Sequence, residues 1–324
     1  MTDSLENLTE KLRSTTLCAL PQSAVQMIQL SKDPNNGPKE YAIPISADLG
    51  LSTQVLRFVN SSFFGFRNKI TSVHMALSLA SVRTISNFVL WSGLFAIMPN
   101  PKCGPFSIHV LFQDSLRRGV FTKHICEALG DIDQDEAFLG AILQDMSIPI
   151  VGKMWNKEYT EMITGCKDVF SQLYLQEQKQ FGWDHAKVSA ILVKLWNLDD
   201  RISELISSHH VFDFTKIESQ QDKQKAVTTL SALLPSVISQ HWCEIEQFIF
   251  AFNSLFHNRV PDLEQILRKT DDDSYELMQL ISLGNKPSKL IDYLQDYYSS
   301  FKNLIPVDHD LTSQATNTDI PITA

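Results

Sequence analysis

The stretch Ala137–Lys153 constrains the fold most, because its apolar residues recur at helical spacing around most of the circumference of the helix they predict. These residues are Phe138, Leu139, Ile142, Leu143 and Met146. A helix that is apolar on nearly every side packs against other helices instead of facing water. Pro149 is expected to end it, since proline lacks the backbone donor that a helix interior needs. The sequence therefore predicts a buried central helix with further helices around it.

Gln144 and Asp145 fall in the last turn of this predicted helix. Burying a carboxylate without a partner is costly, so a buried Asp145 must be satisfied by a neighbouring group. It is either hydrogen-bonded to nearby backbone or hydroxyl groups, or it is a ligand of a metal ion. Whether the protein is an enzyme depends largely on which of these two roles Asp145 has.

Apolar residues at three- and four-residue spacing recur along the rest of the chain, and the alternation typical of strands is nearly absent. The predicted fold class is therefore all-α, a bundle of many helices. Near the C-terminus the pattern predicts two helices, Leu263–Leu267 and Tyr275–Leu283, with a solvated acidic turn at Thr270–Ser274 between them. Residues Ile305–Ala324 show little periodicity and are expected to be disordered.

The chain has 324 residues, 44% of them apolar, and a net charge of −9. It lacks the basic field that attracts nucleic acids and anionic membranes, so neither is an expected partner. Its longest apolar run, Phe88–Met98, is shorter than the roughly 20 residues that span a bilayer, and its polar N-terminus does not resemble a signal peptide. The five cysteines include no CxxC pair, which favours free thiols in a reducing compartment. A soluble, cytoplasmic protein is expected.

Short sequence blocks follow one another in a recognisable order. They are Leu20–Gln22, Asp33-Pro34, Ile45–Ser52, Val55–Ser61, Phe64-Gly65, Ile70–Val73, Phe138–Asp145, Phe181–Ala186, Trp196–Leu198 and His209-His210. Each block is a weak signal alone, but the series resembles the HDOD family, bacterial output domains related to HD-type phosphohydrolases.

The resemblance implies a domain organisation. A compact helical domain is expected over residues 16–212, after an N-terminal lead-in over residues 1–15. From Val211 the sequence changes in character, and residues 213–304 are expected to form a helical C-terminal extension. The disordered tail would occupy residues 305–324.

The resemblance also implies a domain without established enzymatic activity, used in bacterial signalling. HD phosphohydrolases hold a divalent metal that activates water in a cage of imidazoles and carboxylates. The position that resembles the first histidine of this cage holds Asp114, and the histidine of the His-Asp pair is Gln144, so that only Asp145 is left. Glutamine is a poor metal ligand beside imidazole. We therefore expect no catalytic residue, no metal and no cofactor, and a regulatory module that binds a protein or small ligand through a degenerate cleft.

The alternative is a divergent metal-dependent phosphohydrolase that acts on a nucleotide or cyclic dinucleotide. Its metal would be held by Asp145 and at least one of three histidines. These are His124, His185 and His209. On the helix predicted for Asp199–His210, adjacent side chains point about 100° apart, so only one of His209 and His210 is expected to face inward.

The aromatic loop of Phe63, Phe64 and Phe66 has two interpretations. Aromatic rings most often fill gaps between helices in a core, but an exposed group of rings would be a surface for a partner. We propose the loop as the partner surface. The resemblance implies a protein partner in a bacterial second-messenger or two-component pathway, and the sequence does not specify the oligomeric state.

Overall fold

The computed structural model describes residues 5–15, 19–103, 106–164, 172–257, 259–283 and 286–302. All regular secondary structure within these ranges is helical, which confirms the predicted all-α fold class. The helices are α1 Leu5–Ser14, α2 Gln22–Ser31, α3 Pro38–Ala47, α4 Leu49–Val59, α5 Val73–Leu79, α6 Val82–Ile97, α7 Ile108–Leu129, α8 Gln134–Leu143, α9 Ile148–Met154, α10 Asn156–Thr164, α11 Leu173–Phe181, α12 His185–Leu195, α13 Asp200–Ser207, α14 Gln220–Ala232, α15 Ile245–Phe256, α16 Leu263–Leu280 and α17 Leu290–Lys302. The predicted tail over residues 305–324 lies outside the described residues.

Within the described ranges, none of the helices combines the length and the apolar character that crossing a bilayer requires. The described cysteines, Cys103, Cys126 and Cys243, form no disulfide bond with one another. Burial raises the pKa of the Cys126 thiol. Cys18 and Cys166 lie outside the described residues.

Helix α7 is the centre of the structure. It is buried around nearly its whole circumference, and its polar residues Asp114, Arg117 and Arg118 are buried with it. Helix α8 crosses α7 at Gly119, where a side-chain methyl group would lie 2.8 Å from a ring carbon of Phe138 and closer still to Ile142. Glycine therefore permits the approach of the two central helices.

Helix α8 is shorter than the sequence predicts. Asp133 begins it by accepting a hydrogen bond from the Glu136 N–H, and the helix ends at Leu143. Pro149 lies in the first turn of α9, so the prediction that it ends the preceding helix is wrong. The first turn of a helix needs no donor from proline, and the fixed φ of proline suits that position. As a result Asp145 lies in a tight turn between two buried helices.

Helix α16 runs unbroken through Thr270–Ser274, so the predicted acidic turn is wrong. Asp272 is exposed, but the carboxylates of Asp271 and Asp273 are buried and have protein partners. Asp271 accepts hydrogen bonds from the Leu290 and Ile291 N–H groups at 2.9 and 3.1 Å, and Asp273 accepts one from the Ser62 hydroxyl at 2.6 Å. These partners are far away in sequence, so the local pattern does not reveal them.

The C-terminal helices α14–α17 pack on the rest of the molecule through a second hydrophobic core, which includes residues of α7 and α8. Its members include Phe121, Ile125, Ala137, Phe248, Phe252, Leu267 and Leu294. Polar contacts add to this packing, since the Arg57 guanidinium donates to the Leu280 carbonyl at 3.1 Å. The C-terminal extension therefore helps to build the region around α7.

Candidate metal centre

Four side chains converge on one point in a cleft beside α7. Asp145, His185, His209 and His210 each contribute one donor atom, and these atoms all lie within 4.8 Å of one another. The Asp145 Oδ1 atom lies 3.2 Å from His185 Nε2 and 3.4 Å from His209 Nε2. The Nε2 atoms of His185 and His210 are 2.8 Å apart. Three imidazoles and one carboxylate thus form a compact, buried set of metal-type donors.

The ends of short elements bring these residues together. Asp184 begins α12 by accepting a hydrogen bond from the Lys187 N–H, which places His185 at the first position of that helix. Helix α13 ends at Ser207, so His209 and His210 lie in the turn after it. The prediction that only one of them faces inward is wrong, because the 100° rule holds within a helix and both residues lie beyond its end.

Hydrogen bonds on the outer side of the histidines fix which ring nitrogen carries the proton. The Ile206 carbonyl lies 2.6 Å from His209 Nδ1, and a carbonyl can only accept, so we place the proton on Nδ1. Glu177 Oε2 lies 2.6 Å from His185 Nδ1 and also accepts a hydrogen bond from the backbone N–H of His185 at 2.8 Å. The other carboxylate oxygen of Glu177 accepts a hydrogen bond from the Tyr159 hydroxyl. The Nε2 lone pairs of both histidines then face Asp145. This is how metal-binding histidines are normally oriented.

His210 Nε2 lies within hydrogen-bond distance of the His185 Nε2 lone pair, but no donor among the described residues lies between Asp145 and the His209 Nε2 lone pair. The His209 Nε2 atom is buried and has no hydrogen-bond partner among the described residues. Two acceptors at the separations seen here repel each other unless a cation, either a proton or a metal ion, lies between them. A set of three imidazole nitrogens and one carboxylate oxygen suits zinc and other first-row transition metals better than magnesium. The residues present therefore fit a divalent transition-metal ion.

Charge in the cleft is balanced from the other side of Asp145. The buried Arg118 guanidinium forms an ion pair with Asp145 Oδ2. Burial, followed by the neighbouring His185, lowers the pKa of His209 to about 3, and burial also lowers the pKa of His210. These two imidazoles are therefore neutral at neutral pH, which is the form that binds a metal.

The other positions that resemble the HD cage have different roles. The Asp114 carboxylate accepts hydrogen bonds from the Ser236 hydroxyl at 2.7 Å and the Val237 N–H at 2.6 Å, and burial raises its pKa. Asp114 thus binds the C-terminal extension. The Gln144 amide is buried without a hydrogen-bond partner and is not among the described residues that line the cleft. Of the degenerate HD positions, Asp145 alone contributes to the donor set.

His124 does not join the cluster. It lies nearly two turns after Arg118 on α7, where its Nε2 is 3.1 Å from Asp273 Oδ2 and its Nδ1 is 3.4 Å from Glu127 Oε2. Of the three histidines named as alternative ligands, the structure brings His185 and His209 to Asp145 and leaves His124 at the packing surface of α16.

The aromatic loop is mostly part of the core. Phe63 is buried, with its ring centre 5.4 Å from that of Phe58, so it cannot present its ring to a partner. Phe64 and Phe66 are half-buried and pack on the same core. The Lys123 ammonium lies 3.8 Å from the centre of the Phe63 ring. A partner surface here would have to use the outer edges of Phe64 and Phe66.

Sequence reasoning missed two side chains that shape the cleft, Arg118 and Glu177. Arg118 stands next to Arg117 in the middle of a long apolar helix, where basic residues are a sign of buried ion pairs. Glu177 follows Tyr174 on an amphipathic helix and has no distinguishing pattern. The nearby sequence gives one indication that Glu177 binds a histidine, which is His185, eight residues later.

The HDOD domain model matches residues 17–212. The chain belongs to the HDOD family. Residues Asp145, His185, His209 and His210, which form the donor set, all lie within the matched range.

Solved structures share this fold. A Shewanella amazonensis protein whose name suggests a phosphohydrolase aligns with a TM-score of 0.63, 17% identity and coverage of 87% of this chain and 98% of its own. An HDOD domain protein of unknown function from Geobacter sulfurreducens has a TM-score of 0.59, 18% identity and coverage of 93% and 97%. A Marinobacter aquaeolei protein whose name suggests signal transduction has a TM-score of 0.59, 15% identity and coverage of 87% and 62%. At these identities the likeness shows the fold.

A relative from Treponema pallidum, an uncharacterized protein, is 20% identical over 196 residues. The alignment covers 59% of this chain and 37% of the relative. This HDOD chain thus spans little more than a third of the length of that protein.

The low pKa of His209 predicts a loss of stability in mild acid. The unfolded chain binds a proton below pH 6.5, whereas the buried imidazole stays neutral down to about pH 3. The contribution of His209 to the free energy of unfolding of the metal-free protein should therefore be constant above pH 6.5 and fall below it, by roughly 1.4 kcal/mol per pH unit. Urea denaturation with a chelator at pH 7.5, 6.0 and 5.0 measures the slope.

His209→Gln should reduce this slope by about that amount and leave the contribution of His210, whose pKa burial also lowers. The surface variant His74→Gln is the control and should keep the full slope. An equal slope in wild type and His209→Gln would show that the imidazole is already charged in the folded protein.

Proposed function

We propose that this HDOD protein is a regulatory module for signal transduction that acts by binding in its cleft and not by hydrolysis. The observation that carries the proposal is the ion pair between Arg118 and Asp145. In a hydrolytic metal site the metal ion lowers the pKa of a bound water, and a carboxylate beside it can orient that water or accept its proton. Here one oxygen of that carboxylate is bound by a buried guanidinium, which does not give up its proton and so cannot act as a base.

The number of donors supports the same conclusion. Catalytic zinc sites usually have three protein ligands and leave one position for water, whereas structural sites have four. Asp145, His185, His209 and His210 together provide four. The ligand that this donor set favours is one divalent transition-metal ion, held as part of the folded domain. This proposal departs from the sequence-based expectation that the site holds no metal.

The size of the cleft also favours binding of a small ligand. The described residues enclose a cavity of about 70 Å³, whereas pockets for drug-sized molecules measure about 300–1,000 Å³. The C-terminal extension forms part of its wall through Thr229, Leu233 and Gln247. A metal ion with a few waters or a small anion fits this space, and a nucleotide does not.

A metal-dependent phosphohydrolase is the second candidate, and the same cluster favours it. A metal that accepts five or six ligands would keep positions open for water beside the four protein donors. The name of the Shewanella relative suggests this activity for that protein. Both candidates predict a bound metal, and turnover distinguishes them.

Purified protein incubated with Zn²⁺ and then dialysed should retain about one ion per chain, because four donors complete a tetrahedral site. Elemental analysis measures the content. His209→Ala should lose most of the metal, and His124→Ala is the matched control, since it also removes a buried histidine of this bundle but not one of the four donors.

The metal-loaded protein is expected to show no turnover of bis-p-nitrophenyl phosphate, p-nitrophenyl phosphate or a cyclic dinucleotide with Zn²⁺, Mn²⁺ or Fe²⁺. Metal-dependent hydrolysis that disappears in Asp145→Asn but persists in His124→Ala would overturn the regulatory proposal in favour of the phosphohydrolase. We also propose that the module passes its signal to a protein partner in a second-messenger or two-component pathway, which affinity capture from the native cell would identify.

A further inference from the structure

A second cavity, of about 450 Å³, lies where the ends of several helices meet. Its wall is formed by the C-terminal end of α2, by α3, by the N-terminal parts of α6 and α8, by the first turn of α13 and by the connection that precedes α13. It shares no lining residue with the cleft of Asp145, so an inference about it does not depend on the proposed function. Its volume falls within the range of about 300–1,000 Å³ for sites that bind small molecules.

The floor of this cavity is apolar. Five apolar side chains border the cavity although they are nine-tenths or more buried in the protein. They are Met27, Ile28, Leu90, Leu139 and Ile202. An apolar group that covers such a floor removes apolar surface from water on both sides, which favours binding. The floor therefore calls for a ligand with an aromatic or aliphatic body.

The charged side chains at the rim nearly cancel one another. Four acids and three cations border the cavity, and they are Asp133, Asp135, Glu136, Asp199, Lys32, Arg83 and Arg201. Arg83 pairs with Asp133 at 2.7 Å, and Arg201 is shared between Asp199 at 2.9 Å and Glu136 at 3.3 Å. Asp135 forms no ion pair in the described part of the chain and accepts hydrogen bonds from the Ser81 and Thr84 hydroxyls.

These charges do not select a charged ligand. An anion would meet the negative charge of Asp135, while the two guanidinium groups that could attract it are already paired with acids. A cation would meet both guanidinium groups and the ammonium of Lys32. Moving a charged group out of water is costly unless a partner of opposite charge is free to receive it. The rim therefore favours an uncharged ligand.

The Tyr41 hydroxyl is a polar group of the cavity that the protein leaves unpaired. Tyr41 borders the cavity and is only 4% exposed, yet its hydroxyl has no hydrogen-bond partner among the described residues. Burial raises the pKa of Tyr41, so the phenol is neutral at neutral pH and can both donate and accept a hydrogen bond. Buried polar groups of folded proteins nearly always have a partner. A hydroxyl or carbonyl group of a ligand would supply one here.

We propose that this cavity binds a small uncharged molecule that has an aromatic or aliphatic body and one hydroxyl or carbonyl group. The body lies against the five apolar side chains of the floor, and the polar group forms a hydrogen bond with the Tyr41 hydroxyl. Affinity then comes mainly from the apolar body, and the hydrogen bond distinguishes this ligand from a hydrocarbon of the same size.

Equilibrium dialysis with four naphthalene compounds of similar size tests the proposal. They are 2-naphthol, naphthalene, 2-naphthalenesulfonate and 2-naphthylmethylammonium. The wild-type protein is expected to bind 2-naphthol saturably at one site per chain. Naphthalene should bind about fivefold more weakly because it lacks the hydroxyl. Both charged compounds should also bind more weakly than 2-naphthol, since neither finds a free partner of opposite charge.

Tyr41→Phe should weaken the binding of 2-naphthol about fivefold and leave that of naphthalene unchanged, because it removes the hydroxyl and keeps the ring. This variant should fold, since the hydroxyl bonds to no described residue. Tyr298→Phe is the matched control, because Tyr298 is 43% exposed on α17 and does not border the cavity. It should change neither affinity.

Non-saturable binding of 2-naphthol, or the same 2-naphthol affinity in Tyr41→Phe and Tyr298→Phe, would overturn the proposal and assign the compound to exposed apolar residues elsewhere. A charged compound that binds as tightly as 2-naphthol would show that the ligand of this cavity is not selected for being uncharged, and would overturn the proposal as well.

Discussion

Gly119→Val is expected to destabilise the protein by at least about 3 kcal/mol, because the new side chain would overlap the helix that packs on α7. Even a single methyl group at Gly119 would lie 2.8 Å from Phe138 Cε2 and closer still to Ile142 Cγ2. Both residues belong to α8 and are buried, so neither can swing into solvent. The overlap can be relieved only if α7 and α8 move apart. Because both helices contribute to each of the two hydrophobic cores, this movement would open both cores.

Urea denaturation measures this effect, and Gly50→Ala is the control. Gly50 lies in the exposed first turn of α4, where an added methyl group meets only Asp48 Oδ1 at 3.2 Å. That variant should change stability by no more than about 1 kcal/mol, the usual difference between alanine and glycine in a helix. A Gly119→Val protein as stable as the control would mean that α7 and α8 do not approach each other as described.

The fold class follows from the sequence because helices depend on local spacing. Ser72 stands directly before an apolar run, and it caps α5 by accepting a hydrogen bond from the Met75 N–H. Gly130 likewise ends α7, with a φ of 80° that suits glycine. These features depend on residues within one turn of each other.

The errors at Pro149 and at Thr270–Ser274 have a different origin. Proline favours both the end of one helix and the first turn of the next, and only the packing of α9 decides between them. The acids in α16 resemble a solvated turn in the sequence, because the partners of Asp271 and Asp273 come from other parts of the chain. These partners are the N–H groups of Leu290 and Ile291 and the Ser62 hydroxyl. Local pattern cannot supply such partners.

The candidate site was only partly predictable, because the sequence shows residue types but not the contacts between distant parts of the chain. Asp145, His185 and His209 were named because their residue types bind metals, and the structure brings them together. His210 was set aside on an argument about helical geometry that fails beyond the end of α13. Arg118 changes the chemistry of the site most, and its effect depends on a side-chain contact between α7 and the turn after α8.

Arg118→Met is expected to destabilise the metal-free protein by about 3–5 kcal/mol, because it removes one partner of a buried ion pair. Methionine fills a similar space, so the main loss is the positive charge next to Asp145. The Asp145 carboxylate would then face only the lone pairs of His185 and His209, at 3.2 and 3.4 Å. Arg118→Met/Asp145→Asn should recover part of the loss, since removing both charges is less costly than removing one.

A divalent metal should rescue Arg118→Met more than it stabilises the wild type. Without the guanidinium, Asp145 has its full charge available for a cation, so the variant should bind Zn²⁺ more tightly. At a free metal concentration of about 100 times the Kd, binding adds roughly 2.7 kcal/mol to the free energy of unfolding. Thermal and urea unfolding of both proteins, with Zn²⁺ or with a chelator, measure the difference.

Arg117→Met is the matched control for this experiment. Arg117 is the adjacent residue, equally buried, but its guanidinium donates to the Ser288 carbonyl and lies near Asp271 instead of the cleft. It should therefore be destabilised without a metal-dependent recovery beyond that of the wild type. If Zn²⁺ stabilises Arg118→Met no more than Arg117→Met, the guanidinium and the metal do not compete for Asp145, and Arg118 has a purely structural role in α7. A larger recovery in Arg118→Met would identify Arg118 as the residue that sets the metal affinity of this cleft.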